Sequence, residues 1–421
     1  MTPWNVRAPR TTPARGSRFA LLLAALLLLA LAGLSACSPA EDKSVALATI
    51  FPTTGTDAAI GQAMQRAVDL AVKQKGALDN GYTLTVTHYD EASGADGLVQ
   101  TAVADPHVMG IVGPYGSQSA VVMLPAIAQS GVATISPGAT LPGLTQADQA
   151  TAEGLTFSQL HPKGKPLAFF RLPQTDKALG KAAADLAVAS TKSHGLQANS
   201  VYVVDDGTAS GKAIAAAFAQ ELKAKHGSVA GQSSTAQGDP NNTQAAVSAV
   251  VAAQPDIVFY AGGTDGGAAL RFALTLSGVP IAVLAAGPVA DNPGFGPAVG
   301  VTAAAANTTA ILPAQDPTKL DSAKDFVAAY QAAYAGEALL PQSALAYDAA
   351  MDEIAAINAV IKSGKAPTRA AVLAAVASGQ YSGATGAIAF DKNGDNTTPT
   401  GFAVYTCDAK GAWHFQTNIA G

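Results

Sequence analysis

The stretch GIVGPYGSQSAVVMLPAIAQSGVATISPGAT, residues 110–140, contains one full copy of the unit from which the chain is built. Gly110–Gly113 is a short apolar run that stops at Pro114-Tyr115-Gly116. Ser117–Ser130 places small and apolar residues at helical spacing. Val132–Ser136 is a second apolar run, rich in β-branched residues, that stops at Pro137-Gly138. Strand, helix and strand joined by short turns make a parallel crossover unit. Parallel strands are covered by helices on both faces, so they read as continuously apolar and do not alternate.

The pattern extends outward in both directions. Upstream, strands are expected at Val45–Ile50 and Thr83–Tyr89, and Met64, Ala67, Val68, Ala71 and Val72 mark one stripe of the helix between them. A second unit starts with strand Phe169–Arg171 and helix Lys177–Ala189. It continues with strand Ser200–Asp205, helix Gly211–Lys225, strand Ser228–Gln232, helix Thr243–Ala253, strand Asp256–Ala261, helix Gly266–Ser277 and strand Ile281–Ala285. After Pro313 come helices Ser322–Tyr334, Ala344–Lys362 and Thr368–Ser378, then short strands at Ala387–Phe390 and Phe402–Thr406. So few strands cannot form a third sheet. The late helices therefore return to the first lobe and the final strands to the second. The expected fold is α/β: two doubly wound parallel-sheet lobes joined by a hinge that the chain crosses several times. The first lobe is assigned residues 45–171 and 310–386, the second 172–309 and 387–421. The polar segment Ala147–Pro166 reads as a loop of the first lobe near the cleft.

A chain of 421 residues that is 49% apolar and 13% charged, with 41 Gly and 24 Pro, has material for two cores and is neither disordered nor fibrous. The formal charge is −5, but residues 1–36 contain four Arg and no Asp, Glu or Lys, so the remainder has 21 basic against 30 acidic residues and a charge of −9. With no basic cluster to reverse that sign locally, nucleic acid is excluded as a partner.

The amino terminus carries Arg7, Arg10, Arg15 and Arg18, then an apolar run from Phe19 to Gly33 that is shorter than the roughly 20 residues needed to span hydrocarbon. This reads as a signal peptide over residues 1–36. It ends in Leu34-Ser35-Ala36-Cys37, which resembles the lipobox of bacterial lipoproteins. That resemblance implies an acylated Cys37 at the mature terminus, residues 37–44 as a lipidated tether, and an extracytoplasmic body held at the membrane. With Cys37 committed to lipid, Cys407 has no partner for an internal disulfide and reads as a small buried side chain.

Ligands of open parallel sheets collect at the carboxyl ends of the strands, where helix N-termini offer unpaired N–H groups. Two turns meet that description. In one, Ser117 caps a helix that begins at Gln118. In the other, Pro137-Gly138-Ala139-Thr140 offers a carbonyl at Gly138 together with the amide and hydroxyl of Thr140. These groups suit a zwitterion, with donors for a carboxylate and acceptors for an ammonium; the alternative reading is ordinary caps and turn residues.

The run Thr134-Ile135-Ser136-Pro137-Gly138-Ala139-Thr140, followed by Pro142 and Leu144-Thr145, resembles the leucine/isoleucine/valine-binding periplasmic proteins, the type I solute receptors of ABC importers. Further matches are Gly113–Ser117, the loop Phe51-Pro52-Thr53-Thr54-Gly55 with Gly61, Phe170-Arg171 with Asp176, Tyr347-Asp348, and Phe390-Asp391-Lys392-Asn393-Gly394-Asp395. The similarity covers nearly all of residues 44–415. It implies a clamshell in which Ser117, Gly138, Ala139 and Thr140 hold the backbone of an amino acid or related small molecule. It also implies an ABC permease as partner and a monomeric receptor. Departures accompany the match. Val289 stands where the family places the glutamate that binds an ammonium, Ser210 stands where it places a tyrosine, and the first-loop aromatic falls near Ile60. Asp291 or Asp265 is a candidate to replace the missing acid; each also reads as a loop or cap aspartate. The ligand is therefore not fixed as a branched-chain amino acid.

Other signals carry less. Gly207-Thr208-Ala209-Ser210-Gly211-Lys212-Ala213 is one residue short of a phosphate-binding loop and lacks its final hydroxyl. Asp391, Asn393 and Asp395 begin like a calcium loop, but Asn396 and Phe402 occupy positions that need Gly and Glu. Asp205-Asp206 reads as a helix cap and a cleft-rim residue more readily than as an acid–base pair. The six His residues show no metal-ligand spacing, and no nucleophile elbow is present, so neither enzyme, cofactor nor metal is expected. The function expected is a lipid-anchored solute receptor of an ABC importer. A ligand-sensing regulatory lipoprotein of the same fold is the alternative.

Overall fold

The computed structural model describes residues 42–193, 200–235, 239–300, 302–398 and 400–421, with Met1 and Trp4. The leader and Cys37 lie outside the described residues. From Ser44 to Gly421 the chain forms one unit, whose described residues make two large sheets and a two-stranded hairpin.

The first lobe comprises β1 (Ser44–Phe51), α1 (Ala58–Lys75), β2 (Thr83–Asp90), α2 (Leu98–Ala104), β3 (Val108–Val112), α3 (Ser117–Ser130), β4 (Ala133–Ser136), α4 (Ala147–Ala152), α5 (Phe157–Leu160) and β5 (Phe169–Arg171). Its sheet has the order β2-β1-β3-β4-β5, with every pair parallel. The second lobe follows with α6 (Asp176–Ser193), β6 (Ser200–Asp205), α7 (Ala209–Ala224), β7 (Ser228–Ser234), α8 (Pro240–Ala253), β8 (Ile257–Ala261), α9 (Thr264–Leu276), β9 (Ala282–Ala286), α10 (Phe295–Ala298), α11 (Thr302–Ala305) and β10 (Thr308–Leu312). The chain then returns to the first lobe with α12 (Lys324–Ala333), α13 (Pro341–Lys362), α14 (Arg369–Ser378) and the hairpin β11 (Gln380–Gly383) with β12 (Gly386–Ala389). It ends in the second with β13 (Phe402–Cys407) and β14 (Trp413–Ile419). The second sheet has the order β14-β13-β10-β9-β8-β6-β7, parallel except for the last two strands.

Burial on both faces is visible strand by strand. Val201, Val203 and Phe259 point into a core beneath α6 and α7, whereas their neighbours Tyr202, Val204, Val258 and Tyr260 point into another beneath α8 and α9. Alternate residues serve opposite faces, so both must be apolar. Cys407 is buried in this second lobe.

Four details depart from the sequence reading. Strand β10 pairs with β9 in the second sheet, so the boundary at residue 310 falls inside a strand; its Thr-Thr-Ala start disguises a sheet position. Residues 387–389 belong to the β11–β12 hairpin, whose Ile388 is buried in the first-lobe core, and the second lobe resumes only at Phe402. Trp413–Ile419 adds an edge strand half exposed to solvent, with no continuous apolar run to announce it. Segment 147–166 contains two short helices.

Helix α13 packs on α1 and across β3 and β4, and it brings three acids into the first-lobe interior. Asp348 accepts hydrogen bonds from Ala384 N and Thr385 N, both at 2.7 Å, and so fixes the hairpin turn. Asp352 and Glu353 are 2% and 0% exposed, and Asp352 Oδ2 and both Glu353 carboxyl oxygens are buried without a hydrogen-bond partner. Burial, reinforced by the neighbouring acids, pushes Asp352 up to about 9 and Glu353 well above the usual carboxylate range. Both are neutral at pH 7, because ionising a buried, unpaired carboxyl costs more than binding its proton. The folded state therefore holds protons that the unfolded chain releases above about pH 4, so these groups contribute stability at low pH that is lost as pH rises towards 9. Asp352→Asn is expected to make the fall in melting temperature between pH 5 and pH 9 shallower than in the wild type; an unchanged slope contradicts the assignment.

Candidate functional site: a cleft at two switch points

Each sheet has a topological switch point, between β1 and β3 in the first lobe and between β6 and β8 in the second, and the carboxyl ends of both sheets face one cleft. The cleft encloses a cavity of about 250 Å³. The first lobe lines it with the turn after β3 (Tyr115–Gln118), the turn after β4 (Pro137, Gly138, Thr140), Asp57 and Gln342. The second lobe contributes Asp176, Asp206, Ser210, Gly263 and Pro288, each at a strand end or helix start.

The turn after β3 is held from behind by Glu91, whose carboxylate accepts from Tyr115 N and Gly116 N at 2.8 Å each. Burial pushes Glu91 up to about 7 despite these donors. Helix α3 begins at Ser117, with Gly116 as its cap residue, and Ser117 turns its hydroxyl across the cleft floor instead of capping its own helix. Its oxygen accepts from Thr140 N at 3.0 Å and Leu141 N at 3.1 Å. The second turn is closed by Ser136 Oγ, which donates to Pro114 O at 2.6 Å and accepts from Ala139 N at 2.9 Å. Only glycine fits at 138, because a Cβ there would lie 2.3 Å from the ring of Tyr115.

Carboxylates dominate the rest of the wall. Asp176 is 1% exposed, its amide donates to Thr140 O at 2.9 Å, and its Oδ2 is buried without a partner. Burial pushes this carboxyl up to about 6, and the neighbouring hydroxyls of Thr140 and Ser210 limit the rise. Asp206 is tied down, accepting from Thr208 Oγ1 at 2.6 Å and Gly263 N at 3.1 Å. Burial also raises Asp57, with Asp265 adding to the shift. Among the described residues that line the cavity there is no Lys, Arg or His. Side-chain hydrogen bonds join the lobes around it, in addition to the bond from Asp176 N to Thr140 O. Thr56 Oγ1 donates to Asp265 at 3.0 Å, Asn292 Nδ2 donates to Thr56 O at 2.8 Å, and Gln342 Nε2 donates to Asp291.

The comparisons agree with this architecture. The family model for periplasmic binding proteins matches residues 44–412. The chain belongs to the periplasmic binding protein family. Among solved structures, it resembles the leucine-binding protein LivK from Thermotoga maritima at 22% identity, over 89% of this chain and 99% of that one, with a TM-score of 0.73. The branched-chain amino acid binding protein LivJ from Streptococcus pneumoniae, in complex with isoleucine, gives 21% identity, 90% and 99% coverage and a TM-score of 0.73. An R. palustris solute-binding protein in complex with 4-hydroxybenzoate gives 18%, 90% and 96%, and 0.70. At these identities the likeness establishes the fold. No curated protein matches the sequence significantly.

Within this periplasmic binding protein the residues singled out from sequence separate into two groups. Ser117, Gly138, Thr140 and Ser210 line the cavity, and Ser210 Oγ is buried without a hydrogen-bond partner. Ala139 is fully buried behind its turn. Asp291 is also fully buried and lies behind Gln342, and Asp265 faces an adjoining groove, so neither lines the cavity. Val289 and Ile60 are core residues of their lobes. The sequence reading does not single out Asp57 or Gln342, and it gives Asp176 only as a match within the family resemblance. Asp176 and Gln342 begin helices that follow a strand end or a proline, a position that sequence alone cannot aim into a cleft. The balance also differs from expectation: the Thr140 amide, expected to meet a ligand carboxylate, is occupied by Ser117, and unengaged acceptors outnumber donors.

Arg171, fully buried at the end of β5, fixes the position of the second turn. It donates to Asp395 Oδ1 at 2.7 Å, Leu141 O at 2.6 Å and Thr145 Oγ1 at 2.7 Å. Asp395 thus serves Arg171 and no calcium loop, and its own turn is closed by Asp391, which accepts from Asn393 N and Asp395 N. Arg171→Met is expected to destabilise the protein by about 3–5 kcal/mol in urea unfolding, since it leaves Asp395 unpaired. A loss below about 1 kcal/mol contradicts this role.

Proposed function

We propose that the protein is a lipid-anchored, extracytoplasmic receptor of an ABC importer that closes on a small polar solute bearing an amine, an amino acid or a close relative. The observation that supports it most is the buried Asp176 carboxyl, which has one oxygen without a partner and belongs to the wall of a cavity with no cationic residue among the described ones. A protonated amine meets that oxygen favourably, whereas a ligand whose only charge is a carboxylate meets like charge. Ser117 keeps its hydroxyl proton free to donate after accepting two amides, so an acid or carbonyl oxygen of the same ligand has a partner at the opposite wall.

Closure converts binding into a signal. A ligand shifts the lobes only by its preference for the closed form, and ligand bonds spanning Ser117 and Asp176 exist only there. The closed lobes then present a surface for a permease, and Cys37 holds the receptor beside it. The chain binds and releases without turning its ligand over.

A thermal-shift screen of residues 38–421 against amino acids, amides, amines and organic acids is expected to find its best hits among amines. A ligand at 100 times its dissociation constant adds about 2.7 kcal/mol to stability. Ser117→Ala and Thr140→Ala each weaken the best hit by about 1–3 kcal/mol; unchanged affinity in both contradicts the site. Asp176 must be ionised to hold an ammonium, so calorimetric affinity falls as pH drops through about 6, and Asp176→Asn both weakens binding and flattens that dependence. In the producing cell, Cys37→Ala moves the protein from the membrane fraction to the soluble fraction; retention in the membrane rules out the lipid anchor.

A further inference from the structure

Glu91 follows β2 and reaches the turn between β3 and α3. It is buried, and its two oxygens accept from successive amides, Tyr115 N and Gly116 N, at 2.8 Å each. A Cβ at Gly116 would lie 2.8 Å from Glu91 Oε1, so the carboxylate sits directly against the backbone it holds. The next residue is Ser117, whose Oγ accepts from Thr140 N and Leu141 N. Tyr115 also touches the second turn through its contact with Gly138. One side chain outside the cavity lining thus holds the two residues ahead of Ser117. The titratable groups around Glu91 carry no positive charge. Asp57 faces it from the loop after β1 and Tyr115 from the turn, while Asp90 is engaged with Thr53 N and Thr54 Oγ1 at 2.8 and 2.6 Å. Among the described residues lining the small cavity that Glu91 borders there is no Lys, Arg or His. The carboxylate therefore depends on hydrogen bonds alone, and a proton on either oxygen takes acceptor strength from one of the two amides.

We propose that Glu91 is a positioning residue for ligand binding: ionised, it fixes the turn that carries Ser117 and keeps affinity high, and protonated, it lets that turn loosen. This rests on the proposed reading of the cavity, in which Ser117 meets an oxygen of the ligand. Burial, with a smaller contribution from Asp57, raises the Glu91 carboxyl to about 7 against the opposing bonds from Ser119, Tyr115 and Gly116. The two forms therefore interchange near neutral pH. Affinity that needs the ionised form is full above that value and is lost as pH falls through it, ahead of the separate fall at about 6 that Asp176 imposes.

Amide NMR of the protein without added solute reads the coupling directly. The resonances of Tyr115, Gly116 and Leu141 are expected to shift together with a midpoint near pH 7. Glu91→Gln is expected to abolish the transition at Leu141, and Asp176→Asn to leave it in place. No transition at Leu141 in the wild type, or one that persists in Glu91→Gln, overturns the proposal. Calorimetric titration with L-alanine, L-leucine and L-glutamine then reads affinity. For the tightest binder of the three, wild-type affinity is expected to fall about threefold between pH 8 and pH 6.5, and Glu91→Gln to bind about threefold more weakly at pH 8 with no such fall. Equal affinity of variant and wild type at pH 8, or an undiminished fall in the variant, also overturns the proposal. If none of the three binds, the amino-acid reading of the cavity fails and the claim on affinity fails with it, whereas the Leu141 resonance still decides whether Glu91 governs the turn.

Discussion

A guanidinium with no exposure to water must have its charge and its N–H groups met from within the protein, and the structure is arranged around meeting those of Arg171. Its partners come from separate parts of the chain: Leu141 and Thr145 from the turn after β4, and Asp395 from the last crossing between the lobes. Thr145 and Gln146 also donate to Asp395, at 2.7 and 2.8 Å, so the cluster is closed on itself. Burial alone would raise the Asp395 carboxyl, yet Arg171 and these donors hold it below its ordinary value. One buried ion pair thereby sets the turn that carries Gly138 and Thr140, and does so at the point where the chain passes from one lobe to the other.

The site inherits its character from that framework. Thr140 is gripped from both sides, by Ser117 through its amide and by the Asp176 amide through its carbonyl, so the first lobe's turn and the second lobe's first helix meet at a single residue. Backbone positions fixed in this way supply little that is free to donate. The residues that line the cavity include three carboxylates, Asp57, Asp176 and Asp206. The interlobe side-chain bonds at Thr56, Asn292 and Gln342 contribute about 0.5–1.5 kcal/mol each. Closure is thus held by a modest protein term to which a bridging ligand adds.

Much of the fold was legible because parallel strands buried on both faces cannot hide. Phe169–Arg171 and Ser200–Asp205 have the limits expected of them, although Phe169–Arg171, expected to open the second unit, pairs with β4 and closes the first sheet. Strands β10 and β14 escaped because one begins in threonine and the other lies at an edge, where tertiary pairing decides and local composition does not. The site was legible where a turn motif carries it, at Ser117, Gly138 and Thr140. It was not legible where aim matters. Asp291 and Asp176 are both buried aspartates beside loops, and only packing shows that Gln342 screens the first from the cavity while the second faces it.

A crystal structure with the highest-affinity hit of the ligand screen tests the central claim most directly. The account predicts the ligand between the lobes, a nitrogen within hydrogen-bond distance of Asp176 Oδ2 and an oxygen facing Ser117 Oγ. A ligand bound elsewhere, or one whose carboxylate lies against Asp176, contradicts it.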